Sequence, residues 1–171
     1  MRLTVLAIAI LTILVACQET KPVKTKKVSE EDLIKLNQSI SKMEALAIKR
    51  FVERQEWPMD TTGTGLYIWE YWKGNGYPIE VGDEVEVNLT VSLLNGDTCY
   101  SYKSYGSEKF EVEKADLESG LHEAVQLLSL NSKAKIILPP HLAHGFVGDR
   151  NKIPMNASVV YDMEIINHFP H

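Results

Sequence analysis

His141 and His144 stand three residues apart in the run Leu138-Pro139-Pro140-His141-Leu142-Ala143-His144-Gly145, with His122, His168 and His171 elsewhere. Imidazoles so spaced can ligate a metal. No cysteine or carboxylate completes a tetrahedral set at a recognisable spacing, however, and the pair reads as loop histidines beside a groove. The only cysteines are Cys17 and Cys99. Cys99 reads as a small buried wall residue rather than a reactive thiol. No glycine loop of the phosphate-binding kind is present. Asn88-Leu89-Thr90 and Asn156-Ala157-Ser158 fit the glycosylation pattern, but they fall in mid-strand or at a strand start and read as incidental. In place of a nucleophile the chain offers apolar residues committed to inward faces. Leu89 shares a strand face with Val85, Val87 and Val91, and Tyr161 shares one with Val159, Met163 and Ile165. Leu121 belongs to a helical stripe with Leu117, Ala124, Val125 and Leu128. All three therefore point inward.

The elements that must hold them follow from the patterning. Glu84 to Leu93 alternates polar and apolar residues, which predicts a half-buried strand. Asn95-Gly96 signals a hairpin into Thr98 to Tyr105. A short strand carries Phe110 and Val112, a short helix carries the Leu121 stripe, and Ala134 to Leu138 is the next strand. The loop through Ile153-Pro154 leads to a last alternating strand, Ala157 to Ile166. Upstream, Leu66 to Trp72 is aromatic and β-prone, between a flexible lead-in (Thr61 to Gly65) and the turn Lys73-Gly74-Asn75-Gly76. The predicted class is α+β, with a helix packed on one face of an antiparallel sheet.

A long helix precedes this domain. Ser29-Glu30-Glu31-Asp32 reads as an N-cap followed by acids in the first turn. Leu33, Leu36, Ile40, Met43, Ala47 and Phe51 recur at steps of three and four, and the stripe ends by Trp57-Pro58. It must be buried, either on the domain that follows or against the same helix of a second chain. The aromatic face of Tyr67, Trp69 and Tyr71 is its expected partner within the chain; the alternative is a partner surface.

Leu3 to Ala16, after Met1-Arg2, is almost wholly apolar and shorter than the roughly 20 residues that span a bilayer. It fits the core of a secretory signal. Leu14-Val15-Ala16-Cys17 resembles a bacterial lipobox, which implies cleavage before Cys17 and a lipid on its thiol. Gln18 to Val28, polar and lysine-rich, reads as a flexible tether. Its lysines could meet anionic head groups or simply be solvated. Cys99 is left without an intrachain partner. The expected organisation is therefore a signal peptide at 1–16, a tether at 17–28, the helix at 29–57 and a folded domain at 62–168. With 18 basic and 23 acidic residues the formal charge is −5, which argues against nucleic acid as a partner.

In order along the chain stand Thr64-Gly65-Leu66, Val81-Gly82-Asp83-Glu84-Val85, Leu93-Leu94-Asn95-Gly96, Gly120-Leu121-His122-Glu123-Ala124-Val125 and the run from Leu138 to Ile166. This series resembles the FKBP-type peptidyl-prolyl isomerases. The resemblance implies an FKBP-like antiparallel sheet wrapped on a short helix. It also implies an apolar pocket that takes proline-containing polypeptides, and no cofactor. It places Phe110, Leu117, Ile153 and Tyr161 in the pocket wall, and Glu118 at the place of an isoleucine whose backbone amide donates to the ligand carbonyl. Leu89 stands for a tyrosine, Cys99-Tyr100 for Phe-Asp, Leu121 for the tryptophan of the floor, and His144 for a tyrosine whose hydroxyl bonds the ligand. Lipobox, leading helix and domain together resemble the FKBP-type lipoproteins associated with gliding motility. That implies a bacterial cell envelope, and Gln18 after the lipid site leans toward the periplasmic face of the outer membrane. Helices before such domains dimerise some members, so a homodimer through residues 29–57 is the matching expectation.

Rotation about an X–Pro bond needs no nucleophile. Its barrier of about 20 kcal/mol comes from lost amide resonance. A twisted amide is less dipolar than a planar one, so a dry pocket favours the transition state over the ground state. Donors that hold the carbonyl add positioning. The same groove, without turnover, would serve a binding module or chaperone.

Overall fold

The structure is a computed structural model that describes residues 29–171. Cys17, the signal segment and the tether lie outside the described residues. Residues 37–171 form one compact unit.

Helix α1 spans Glu30–Gln55. Ser29 caps it, its hydroxyl oxygen accepting from the Asp32 amide at 3.1 Å. Leu33, Leu36 and Met43 are exposed, so the stripe is not buried along its length. Burial begins near Ile40, and only Ile48 and Phe51 are fully enclosed. The buried face is rotated from the expected line: Glu44, Ile48, Phe51 and Val52 turn inward in place of Met43.

The strands are β1 (Asp60–Thr61), β2 (Tyr67–Trp72), β3 (Glu84–Leu93), β4 (Thr98–Ser101), β5 (Glu108–Glu111), β6 (Lys133–Leu138) and β7 (Val159–Phe169). They form one sheet in the order β1-β2-β6-β7-β3-β4, with β5 also paired to β3, and every pairing is antiparallel. The lead-in at Thr61 is therefore not free chain, because Asp60 and Thr61 pair with Ile68 and Tyr67. The strand from Thr98 also stops early. The Ser101 side chain accepts from the Lys103 amide and starts a one-turn helix, α2 (Tyr102–Tyr105), which Gly106 ends at φ 87°. Helix α3 (Ser119–Gln126) lies on the sheet.

The main core joins the inward side of β3, the buried face of α3, and Val159, Tyr161, Met163 and Ile165 of β7. A second cluster of Ile48, Phe51, Ile137 and Val160, with Tyr67 and Trp57 against it, lies on the other side of the sheet. Phe51 meets Trp57 edge-on at 5.5 Å, Trp57 lies 6.3 Å from Trp69, and Trp69 5.6 Å from Tyr71. The aromatic face thus packs at the C-terminal end of α1. Burying Ile48 and Phe51 contributes about 1.5–3 kcal/mol each.

Candidate functional site

Between α3, β3, β7 and the loop before β7 lies a cavity of about 480 Å³. Leu89, Leu117, Leu121, Ile153 and Tyr161 supply apolar wall. Tyr161 is held from both sides, by Val91 of β3 and Ile136 of β6. Leu121 comes from α3, which can approach β6 closely because position 120 is glycine. A Cβ there would fall 2.7 Å from Leu138 Cδ2 and 2.7 Å from the Leu142 carbonyl. Ile153 is carried by a loop that turns at Gly148 with φ +62°, where a Cβ would meet the Ile153 carbonyl at 2.3 Å.

Glu118 occupies the N-cap position of α3 but makes no cap hydrogen bond with its side chain. Its carboxylate oxygen lies 2.7 Å from His144 Nε2, and the carboxylate also acts on the Tyr161 phenol. Burial pushes the Tyr161 phenol well above its ordinary range, and the charges of Glu118 and Glu108 push it the same way. It is held as a neutral donor. His144 lines the cavity with its Nε2 engaged by Glu118.

The loop after β6 is fastened to β4. The Tyr100 hydroxyl donates to Asp149 Oδ2 in a short hydrogen bond, and Asn151 Nδ2 donates to the Tyr100 hydroxyl at 3.2 Å. Asp149 Oδ1 also accepts from the backbone amides of Asn151 and Ile153, each at 2.8 Å. Desolvation opposes ionisation of Asp149, yet the bonds from Tyr100, Asn151 and Ile153 outweigh it and hold the carboxyl down at about 2. Lys152 Nζ bonds the Cys99 carbonyl at 2.9 Å and the Tyr105 hydroxyl at 3.2 Å.

Eight of the ten residues singled out in the sequence line this cavity: Leu89, Tyr100, Leu117, Glu118, Leu121, His144, Ile153 and Tyr161. Two do not. Phe110 is buried in the core against the His122 ring at 5.6 Å, and Glu108, two residues earlier on the same strand, lines the cavity instead. Cys99 faces the core, its Sγ 3.6 Å from the Lys152 carbonyl, and burial raises its thiol above the ordinary range. Sequence reasoning also missed Asp149. The histidines disperse: His141 Nε2 meets the Thr64 carbonyl, His122 bonds the Glu113 amide and the Ala115 carbonyl, and His168 pairs with Asp83.

The order of the antiparallel strands, with one short helix against the cavity, defines an α+β class of protein. A family profile described as FKBP-type peptidyl-prolyl cis-trans isomerase matches residues 76–166, and the chain belongs to that family. It is 32% identical over 94 residues to the peptidyl-prolyl cis-trans isomerase Fkbp12 of Drosophila melanogaster, covering 54% of this chain and 86% of that one. It is 33% identical over 86 residues to FK506-binding protein 2 of Dictyostelium discoideum, 50% of this chain and 65% of that protein. The match to FKBP10 of Bos taurus, at 28% identity over 89 residues, spans 52% of this chain and only 15% of the bovine protein. Among solved structures, FkpA from Escherichia coli shares the fold at a TM-score of 0.63 and 23% identity, over 85% of this chain and 75% of that one.

Proposed function

We propose that the protein is a peptidyl-prolyl cis-trans isomerase that assists the folding of exported proteins, taking X-Pro segments into the cavity beside Tyr161. The observation that carries this is the apolar wall of Leu89, Leu117, Leu121, Ile153 and Tyr161 around a cavity of about 480 Å³, in a chain of this family. Such a wall destabilises the planar, dipolar amide relative to the twisted one. A protease-free NMR exchange assay with an Ala-Leu-Pro-Phe peptide tests it. Catalysed exchange is expected, and a rate equal to the uncatalysed one overturns it.

A second reading is favoured by the Glu118–His144 pair at 2.7 Å, which puts charge where the family resemblance expects apolar and aromatic groups. On that reading the groove holds polypeptide segments without turning them over. Peptide binding that Leu117→Asp abolishes, in a protein without exchange activity, would select it.

The lipobox ending at Cys17 supports a lipid-anchored protein of the bacterial envelope, on the periplasmic face of the outer membrane. With the leading helix it supports the gliding-motility lipoprotein subfamily as the setting. Mass spectrometry of Cys17 and fractionation of Cys17→Ser cells test the anchor. The exposed Leu33, Leu36 and Met43 support a homodimer through the helix, which sedimentation of the chain tests.

A further inference from the structure

Three carboxylates line the cavity, from Glu108, Glu118 and Asp149, while no lysine or arginine does. Asp149 is engaged by Tyr100 and two backbone amides, and Glu118 by His144. Glu108, at the mouth, has no ion-pair or side-chain hydrogen-bond partner among the described residues. Desolvation, then the charge of Glu118, pushes its carboxyl above the ordinary range. The loop carries two cations: Arg150, next to Asp149, is exposed, and Lys152 is engaged by the Cys99 carbonyl and the Tyr105 hydroxyl, beside the Tyr100 and Tyr105 rings.

The apolar cavity is what admits a ligand, and the carboxylates grade which ligand enters. Bringing any peptide in removes water from Glu108 and Glu118, which strengthens their mutual repulsion. A cationic side chain beside the proline relieves that repulsion. An apolar one leaves it uncompensated, and an acidic one adds to it. We propose that the cavity selects proline segments with a lysine or arginine adjacent to the proline, and that Glu108 is the residue that sets this preference. The proposal rests on the reading of the cavity as an X-Pro site.

The test uses the full chain and peptides Ala-Xaa-Pro-Yaa-Ala, with lysine, leucine or glutamate at Xaa or Yaa. Exchange rates are read by NMR and affinities by titration. The lysine peptides are expected to exceed the glutamate peptides by about tenfold in kcat/KM, falling as salt rises. Glu108→Gln is expected to bring the ratio towards one, while Glu84→Gln, whose carboxylate pairs with Lys109 at 2.6 Å outside the cavity, leaves it unchanged. Equal turnover of all peptides, or a ratio untouched by Glu108→Gln, overturns the preference and leaves the isomerase reading standing. If no peptide is turned over, the isomerase reading fails and the affinities decide: a lysine preference lost in Glu108→Gln sustains the selection, and flat affinities overturn it.

Discussion

Glu118 and His144 meet in the cavity wall with Nε2 2.7 Å from Oε1, their side chains 14% and 25% exposed. The same carboxylate raises the Tyr161 phenol, so one acid from the start of α3 acts on both the loop after β6 and the middle of β7. Removing that acid takes a carboxylate away from the buried Tyr161 phenol. An unmet buried hydroxyl costs about 1–3 kcal/mol.

Glu118→Ile should therefore lower stability by about 1–3 kcal/mol, even though it makes the wall more apolar. Tyr161→Phe should then cost less in the Glu118→Ile background than in the original chain, because the carboxylate that acts on the hydroxyl is already gone. Urea unfolding of the four proteins measures the coupling. Additive effects would mean that the two side chains do not interact.

The fastening of the loop gives a second prediction. Tyr100→Phe removes the donor to Asp149 and should cost about 1 kcal/mol, at the weight of a hydrogen bond to a charged group or below. The change should be local. Amide exchange should quicken at Asn151 and Ile153, whose backbone donors Asp149 holds, more than in β3. Uniform acceleration would place the effect in global stability instead.

Acid should weaken the fold through Asp83 as well as Asp149. The Glu80 amide bonds Asp83 Oδ2 at 2.9 Å, the His171 amide bonds Oδ1 at 2.9 Å, and His168 Nε2 lies 2.7 Å from Oδ2. The Glu80 bond comes first among the causes that hold the Asp83 carboxyl down from 3.8 to about 2, against desolvation. A carboxyl lowered by folding contributes stability that is fully present above its unfolded value and is lost as pH falls through its folded value. Unfolding free energy should thus fall between about pH 4 and pH 2. Asp83→Asn should flatten that slope, whatever it does to absolute stability. An unchanged slope, read from denaturant curves across the range, would count against the assignment.

The legible and illegible parts of the site differ in kind. Alternation in β3 and β7 is enough to turn Leu89 and Tyr161 inward, and the α3 stripe is enough for Leu121, because each side chain's direction follows from its own element's period. Phe110 is different. It and Glu108 share the parity of β5, so a slip of two residues preserves every inward and outward assignment, and the alternation could not tell which of them reaches the cavity. The link from Glu118 to His144 and Tyr161 joins three elements far apart in the chain, which no local period encodes. A signal was nevertheless present. An acid and a histidine both stand where the family resemblance expects apolar or aromatic groups, and two such departures in one pocket are explained together by a pair. The helix stripe misled for a related reason: spacing marks an apolar line on α1 but not where along that line a partner ends.

That partner gives the last prediction. Phe51 is 6% exposed and packs with Ile48 against Ile137 and Val160, whose side of the sheet faces away from the main core. Truncating a buried phenylalanine costs about 3–5 kcal/mol in a closed core. This smaller cluster should stand at the low end, so Phe51→Ala should cost about 3 kcal/mol. Met43 is 72% exposed on the same helix, and Met43→Ala should leave monomer stability within about 0.5 kcal/mol. If the exposed residues pair two chains, Met43→Ala should instead weaken self-association, which sedimentation reads separately from unfolding. A large loss of monomer stability from Met43→Ala beside a small one from Phe51→Ala would move the helix's working face back to the line that its sequence spacing suggests.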